Sequence, residues 1–229
     1  MLPIVERIQE VLSQPVVIEG NIFAVSASIG VSVTHDRNDD PGALVRAADN
    51  AMYASKSHNR GGYTVFDDEL RSHIDDRAQQ ERLLRTALAD DLFEVHYQPQ
   101  VQLAQSRIMG VEALVRIRHP ALGLWQPASF LPIAETSGLI VPVGDRVLRA
   151  AALQQVAWRD SGGPRVEVPV NLSGREVRES GLGDRIAAAI EDTGIDPHDL
   201  TLELTETVYA EATRSFLESL TRLKGLFIF

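Results

Sequence analysis

An α/β fold is what this sequence predicts, and three observations carry the prediction. From Glu81 onward, strand-like stretches alternate with stretches of helix length, the grammar of a parallel sheet built from crossover units. Three of the strands, in "GVEALVRIRHP", "RVEVPVNLS" and "DLTLELTET", place apolar residues on one face at a period of two and an oxygen-bearing side chain on the other. Before residue 67, a shorter set of about two strands and two helices forms a second unit with too little core to be comfortable alone.

Residues 3 to 13 space Ile4, Val5, Ile8, Val11 and Leu12 for one face of a helix. "FAVSASIGVSV" then alternates Phe23, Val25, Ala27, Ile29, Val31 and Val33 against small polar residues, which predicts a half-buried strand. Asp40-Pro41 is a helix start, with an N-cap carboxylate followed by a proline whose missing N–H costs nothing there. That helix carries Leu44, Ala47, Ala48, Ala51 and Met52 on one side, and "YTVF" (63 to 66) closes the unit as a strand. The charge-rich "DDELRSHIDDRAQQ" predicts a helical connector. There follow the helix "ERLLRTALADD", the strand "FEVHYQPQV", a turn around Ser106 and the strand of residues 110 to 120. "PASFLPIAETSG" and "GDRVLRAAALQQVAWRD" predict helices stopped by Gly138 and by Gly162-Gly163. After the strand "RVEVPVNLS" come the helix "GLGDRIAAAIEDTG", the strand "DLTLELTET", the helix "ATRSFLESLTRLKG" and an apolar run, "LFIF". No internal repeat or low-complexity tract appears.

Composition removes several classes of function. The 229 residues are 44% hydrophobic and 24% charged, ordinary for a folded chain, and the formal net charge of -10 argues against duplex DNA as a partner. A small phosphate ligand in a local basic pocket remains compatible. With no cysteine, disulfides, thiolate metal sites and cysteine nucleophiles are all excluded. Glu6, Arg7 and Glu10 interrupt the apolar residues of the N-terminus, unlike a signal peptide, and no apolar run is long enough to cross a bilayer, so the expected location is cytoplasmic.

The polar faces of the strands carry the chemistry. In residues 110 to 120, Val111, Ala113, Val115 and Ile117 share one face, while Glu112, Leu114, Arg116 and Arg118 share the other. Solvent would account for one such face in an antiparallel sheet. Under crossover helices, however, the apolar faces meet the helices and the opposite faces point into a barrel or crevice. Asn171 opposes Val166, Val168, Val170 and Leu172, and Glu203 opposes Leu200, Leu202 and Leu204. Three strands thus aim an oxygen donor into one interior. Two glutamates and an asparagine suit Mg²⁺, Mn²⁺ or Ca²⁺ rather than zinc. Arg116 either pairs with Glu112 or presents its fork to a phosphate. A cation beside an arginine is the local chemistry of phosphoryl hydrolysis.

"YQPQVQL…GVEALVRIRHPALGLWQPASFLPIAETSGLI", "VNLS" and "LELTET" together resemble the EAL-type cyclic-di-GMP phosphodiesterases. "SASIGVSV…LVRAADNAMYASKSHNRGGYTVF" resembles the C-terminal half of a GGDEF diguanylate cyclase domain, so the chain resembles a tandem GGDEF–EAL signalling protein. The resemblance implies an incomplete TIM-like barrel with an atypical first strand pairing, preceded by the C-terminal part of an α+β GGDEF domain. It implies boundaries of 1–69 for the partial GGDEF unit, 70–80 for a connector and 81–229 for the EAL-like part. It also implies hydrolysis of cyclic-di-GMP to linear pGpG with Mg²⁺ or Mn²⁺, and a possible homodimer through the EAL-like part. Residue by residue, Glu112 matches the signature metal ligand, with Asn171 and Glu203 its companions, and Glu206 matches a glutamate that holds an active-site loop. Gln98, Leu114 and Arg116 match substrate-contacting positions, and Lys56 and Arg60 match basic residues that meet nucleotide phosphates. For the last two, a solvated helix end with cations favoured by the helix dipole is an equal explanation.

Departures from the family pattern set further expectations. The GGDEF signature loop falls upstream of Met1 in that pattern, so this unit is expected to synthesise nothing. Paired aspartates, a later lysine and the remaining barrel strands fall beyond "LKGLFIF". A barrel of this type needs ~250 residues, so roughly two fifths of it would follow residue 229. Residues 1–229 alone are therefore expected to be a poor catalyst, whether as a fragment or as the product of a truncated gene. The alternatives are a non-catalytic module that binds cyclic-di-GMP or scaffolds partners, and a remnant without function.

Overall fold

The computed structural model describes residues 2–34, 36, 40–58, 61–104, 106–163 and 166–204. They fall into two compact units, Met1–Arg77 and Ala78–Phe229.

In the first unit, helix α1 (Leu2–Leu12) precedes the short strands β1 (Val16–Ile18) and β2 (Asn21–Phe23), paired antiparallel across Glu19 and Gly20, which both take positive φ. Strand β3 (Ile29–Val31), helix α2 (Pro41–His58) and strand β4 (Tyr63–Val65) follow, with β3 and β4 parallel. The expected continuous strand over 23–33 is therefore two short ones. Each finds a partner only three residues long, and residues 24–28 join neither ladder. The helix start at Asp40 is as expected: its carboxylate accepts from the N–H groups of Gly42 (3.0 Å) and Ala43 (3.1 Å). Those bonds, the Gly42 one foremost, hold its pKa below the usual value. Helix α2 lies directly on β3 because position 30 is glycine; a Cβ there would sit 2.8 Å from the Met52 Cα. The α1 face is covered less than its spacing suggests. Val5 is buried, but Ile4, Ile8, Val11 and Leu12 are exposed, as befits a unit with little core.

The predicted connector and the helix after it form one helix, α3 (Asp68–Ala89), within which the division between the units falls. No glycine or proline interrupts residues 68–89, so nothing stops the first turn from propagating into the last.

The second unit opens with strands β5 (Phe93–Gln102), β6 (Arg107–His119) and β7 (Gly123–Trp125), an antiparallel set rather than the parallel one that alternation alone suggests. The turn at Ser106 (φ 49°) is short enough to reverse the chain, whereas a parallel connection needs a crossover. Helices α4 (Pro127–Ser137) and α5 (Ile140–Asp160) come next, with Gly138 (φ 86°) ending α4 as its position predicts. Strand β8 (Val168–Leu172) leads through short helix α6 (Gly174–Arg178), helix α7 (Leu182–Thr193) and a 3-10 turn (Pro197–Asp199) to strand β9 (Leu200–Leu204). β8 and β9 are parallel, so this part is the crossover unit predicted. β6 meets β8 in a parallel bridge at Gly110 and Glu167, where the Val111 N–H donates to the Glu167 carbonyl at 2.9 Å. A Cβ on Gly110 would lie 3.0 Å from that carbonyl oxygen. The short elements β1, β7 and α6 have no counterpart in the sequence expectations.

The core lies where the period of two places it. Val111, Ala113, Val115 and Ile117 of β6 are buried with Val168, Val170 and Leu172 of β8, under Phe130 and Ala134 of α4 and Val143, Val147 and Ala151 of α5. Gln155 of α5 anchors the start of β8 by donating to the Val166 carbonyl at 2.6 Å. The predicted helix over 212–225 and the "LFIF" run lie outside the described residues.

Candidate active site

Burying the apolar face of β6 against α4 and α5 leaves Glu112, Leu114 and Arg116 half-buried on the other face. Directly opposite in the β5–β6 register stand Gln98 for Glu112, His96 for Leu114 and Glu94 for Arg116. Opposed residues of an antiparallel pair share a face, so one surface carries all six side chains. In the parallel β8–β9 pair, Asn171 stands opposite Glu203, with Asn171 exposed and Glu203 half-buried. The two pairs meet where the Asn171 Nδ2 donates to the Glu112 Oε1 at 2.9 Å. Gln98, Glu112, Asn171 and Glu203, one from each of four strands, thus mark a single polar surface.

The donor set suits a hard divalent cation. Two carboxylates and one amide are all oxygen donors. The described residues assemble no group of three or more His, Asp or Glu side chains, and the amide of Asn171 is the oxygen-bearing group that stands beside Glu112 and opposite Glu203. In the described arrangement its nitrogen satisfies Glu112. A half-turn of the amide would present the oxygen instead, beside the carboxylate, and two oxygens in contact call for a cation between them.

Arg116 is not spent on Glu112. Its Nη1 donates to the Val115 carbonyl at 2.8 Å, and among the described residues it forms no ion pair. Of the two roles open to it from the sequence, the Glu112–Arg116 bridge is not formed. Glu94 is engaged by Arg118 through two guanidinium nitrogens, Nε and Nη2, the latter at 2.8 Å, and by the His96 Nε2 at 3.5 Å. The Arg118 hydrogen bonds, first among the causes, hold the Glu94 carboxyl below its usual pKa and raise that of Arg118.

Other expected residues are placed less informatively. Lys56 is exposed on α2, while Arg60 and Glu206 lie outside the described residues. Glu94 and His96 are absent from the sequence expectations, although "FEVHYQ" sets them at a period of two with Gln98. Ser173 and Glu176 are absent too, although their S-x-x-E spacing is the signature of a reciprocal helix cap. Glu176 is buried, and its Oε2 accepts from the Ser173 N–H at 2.8 Å. Burial raises its pKa despite those cap hydrogen bonds. On the far side of β5, Tyr97 donates to the Ala150 carbonyl at 3.2 Å and meets Trp158 edge-on, and burial pushes its hydroxyl up to about 12.

Among the described residues no helix is long and apolar enough to cross a membrane. Comparison with known families matches residues 81–226 to the EAL domain and residues 1–62 to the diguanylate cyclase GGDEF domain. The chain is 35% identical over 221 residues to the bifunctional diguanylate cyclase/cyclic di-GMP phosphodiesterase MucR of Pseudomonas aeruginosa, covering 95% of this chain and 32% of that protein. It is 33% identical over 186 residues to the cyclic di-GMP phosphodiesterase PdeR of Escherichia coli, covering 81% of this chain and 28% of that one. The chain spans about a third or less of the length of these curated relatives. Among solved structures, the MucR phosphodiesterase in complex with c-di-GMP superposes with a TM-score of 0.60 at 37% identity, over 64% of this chain and 60% of that one. The EAL enzyme Bd1971, at 23% identity and a TM-score of 0.61 over 81% of this chain and 47% of that one, shares the fold. These likenesses bear out the incomplete TIM-like barrel and the GGDEF-type segment before it. The chain belongs to the EAL domain family.

Proposed function

We propose that residues 81–229 form the N-terminal part of a cyclic-di-GMP phosphodiesterase site that takes Mg²⁺ or Mn²⁺, residues 1–69 a partial GGDEF unit, and 70–80 the connector between them. The observation that carries this reading is the contact of Asn171 with Glu112, with Gln98 and Glu203 opposite them on the same face. Its support is the 37% identity to a phosphodiesterase solved in complex with c-di-GMP.

In this reading Glu112, Asn171 and Glu203 hold the cation, which when bound supplies a polarised water for attack on phosphorus. Arg116 sets its fork on the non-bridging phosphate oxygens and neutralises the charge that builds there. The Gln98 amide and the Leu114 side chain orient the dinucleotide, the first by hydrogen bonding and the second by apolar contact. Glu206, by its match to the family pattern, would hold an active-site loop in place. The reaction adds water across one phosphodiester: a P–O bond forms to the water oxygen, the bond to the 3′ oxygen breaks, and that oxygen leaves with a proton as linear pGpG forms. Lys56 and Arg60 would meet phosphates at the GGDEF unit. The cytoplasmic location and a homodimer through the EAL part complete the proposal.

The test is titration calorimetry of the purified chain with cyclic-di-GMP in Mn²⁺, Mg²⁺ and Zn²⁺, with product followed by chromatography. Binding that needs Mn²⁺ or Mg²⁺, and is lost in Glu112→Gln while the fold persists, is expected. Binding indifferent to the metal or to Glu112→Gln would refute the site.

A further inference from the structure

Glu94 and Arg116 stand directly opposite each other in the β5–β6 register, the arrangement in which a carboxylate and a guanidinium ordinarily pair. They do not pair. The Glu94 carboxylate reaches instead to Arg118, two residues further along β6 on the same face, and takes two of its three guanidinium nitrogens. The directly opposed partner is normally the nearer one, and the diagonal neighbour is about 7–8 Å away between Cα atoms. The bidentate fork of Arg118 and the added contact of the His96 Nε2 at 3.5 Å outweigh that separation. The depressed pKa of Glu94 agrees with a carboxylate held this way. Arg116, left with one hydrogen bond to the carbonyl of Val115, keeps its remaining donors uncommitted among the described residues.

We infer that Arg118 is a positioning residue: by occupying Glu94 it keeps that carboxylate off Arg116, so that Arg116 stays free to take the phosphate of the ligand. The inference rests on the reading of this face as a cyclic-di-GMP site, and it assigns Arg118 a role in that site without placing Arg118, Glu94 or His96 on the substrate. In the absence of Arg118, the Glu94 carboxylate would turn to the guanidinium opposite it. Arg116 would then meet an incoming phosphate already neutralised, with a second negative charge beside it.

The experiment compares the wild-type chain with Arg118→Met, Glu94→Gln and the double variant. Two readouts are used: affinity for cyclic-di-GMP in Mn²⁺, and the Nε–Hε resonance of Arg116 by NMR without ligand. Arg118→Met should shift the Arg116 resonance and weaken binding about fivefold, the upper range for an exposed ion pair. Glu94→Gln alone should leave both near wild type, and the double variant should restore both, because no carboxylate is left to capture Arg116. An unmoved Arg116 resonance in Arg118→Met would overturn the inference. So would a double variant as weak as Arg118→Met, which would place Arg118 on the ligand itself. If the resonance shifts and is restored while no variant, wild type included, binds cyclic-di-GMP, the inference about Arg116 stands and the proposed ligand fails.

Discussion

Replacing Gly144 with alanine tests whether the reciprocal cap after β8 is a rigid part of the fold. A Cβ at position 144 of α5 would lie 2.7 Å from the Cδ of Glu176, and nearer still to its Oε1. The end of an exposed glutamate would swing aside at little cost. Glu176 is 3% exposed, however, and its carboxylate is tied to the Ser173 N–H while the Ser173 hydroxyl accepts from the Glu176 N–H. Moving the carboxylate breaks the cap, at about 1 kcal/mol, and leaves a buried polar group unsatisfied, at about 1–3 kcal/mol. Alanine returns ~1 kcal/mol as the better helix former. The net loss is therefore about 1–3 kcal/mol, read by urea denaturation followed by circular dichroism. Ser173 is two residues beyond Asn171, so the same variant should also weaken metal-dependent ligand binding. In a Glu176→Ala background the clash is gone, and Gly144→Ala should be neutral or stabilising. An equal loss in both backgrounds, or none in the wild type, would refute the reasoning.

Three further outcomes are expected. Glu176→Gln keeps the cap, since its amide oxygen accepts from Ser173, but removes a carboxylate whose folded pKa is raised. In the wild type the folded state holds that proton more tightly, so stability falls as pH rises from the unfolded value through the folded one; thermal melts between pH 4 and 7 should show a shallower fall in the variant. Tyr97, with its hydroxyl raised to about 12, should ionise in an ultraviolet titration only near that value, and stability should fall between its unfolded pKa of about 10 and that value. Tyr97→Phe should abolish that step and cost about 1 kcal/mol for the bond to Ala150. Asn171→Leu should weaken Mn²⁺-dependent binding without unfolding the chain, because Asn171 is exposed and its neighbours Val170 and Leu172 carry the packing; unchanged metal dependence would remove Asn171 from the donor set.

Period-two patterning made β5, β6, β8 and β9 legible, and with them the faces of Glu112, Asn171 and Glu203, because a strand offers a side chain only two directions and burial decides between them. Turn and cap chemistry likewise marked Asp40, Ser106 and Gly138, since each depends on residues close in the chain. Pairing was another matter. The split of residues 23–33 depended on how far β1 and β4 reach, the antiparallel β5–β6–β7 set on which strand lay alongside which, and the exposure of Ile8 and Val11 on how little there was to cover them. The choice of Glu94 between Arg116 and Arg118 is of the same kind. Both arginines share its face, and no spacing in the sequence ranks them. A hydrogen bond of about 3 Å is decided by atoms brought together across strands, whereas alternation and caps are properties of neighbours along one chain. The sequence by itself therefore determined which residues face the site; only the tertiary structure decided which of them touch.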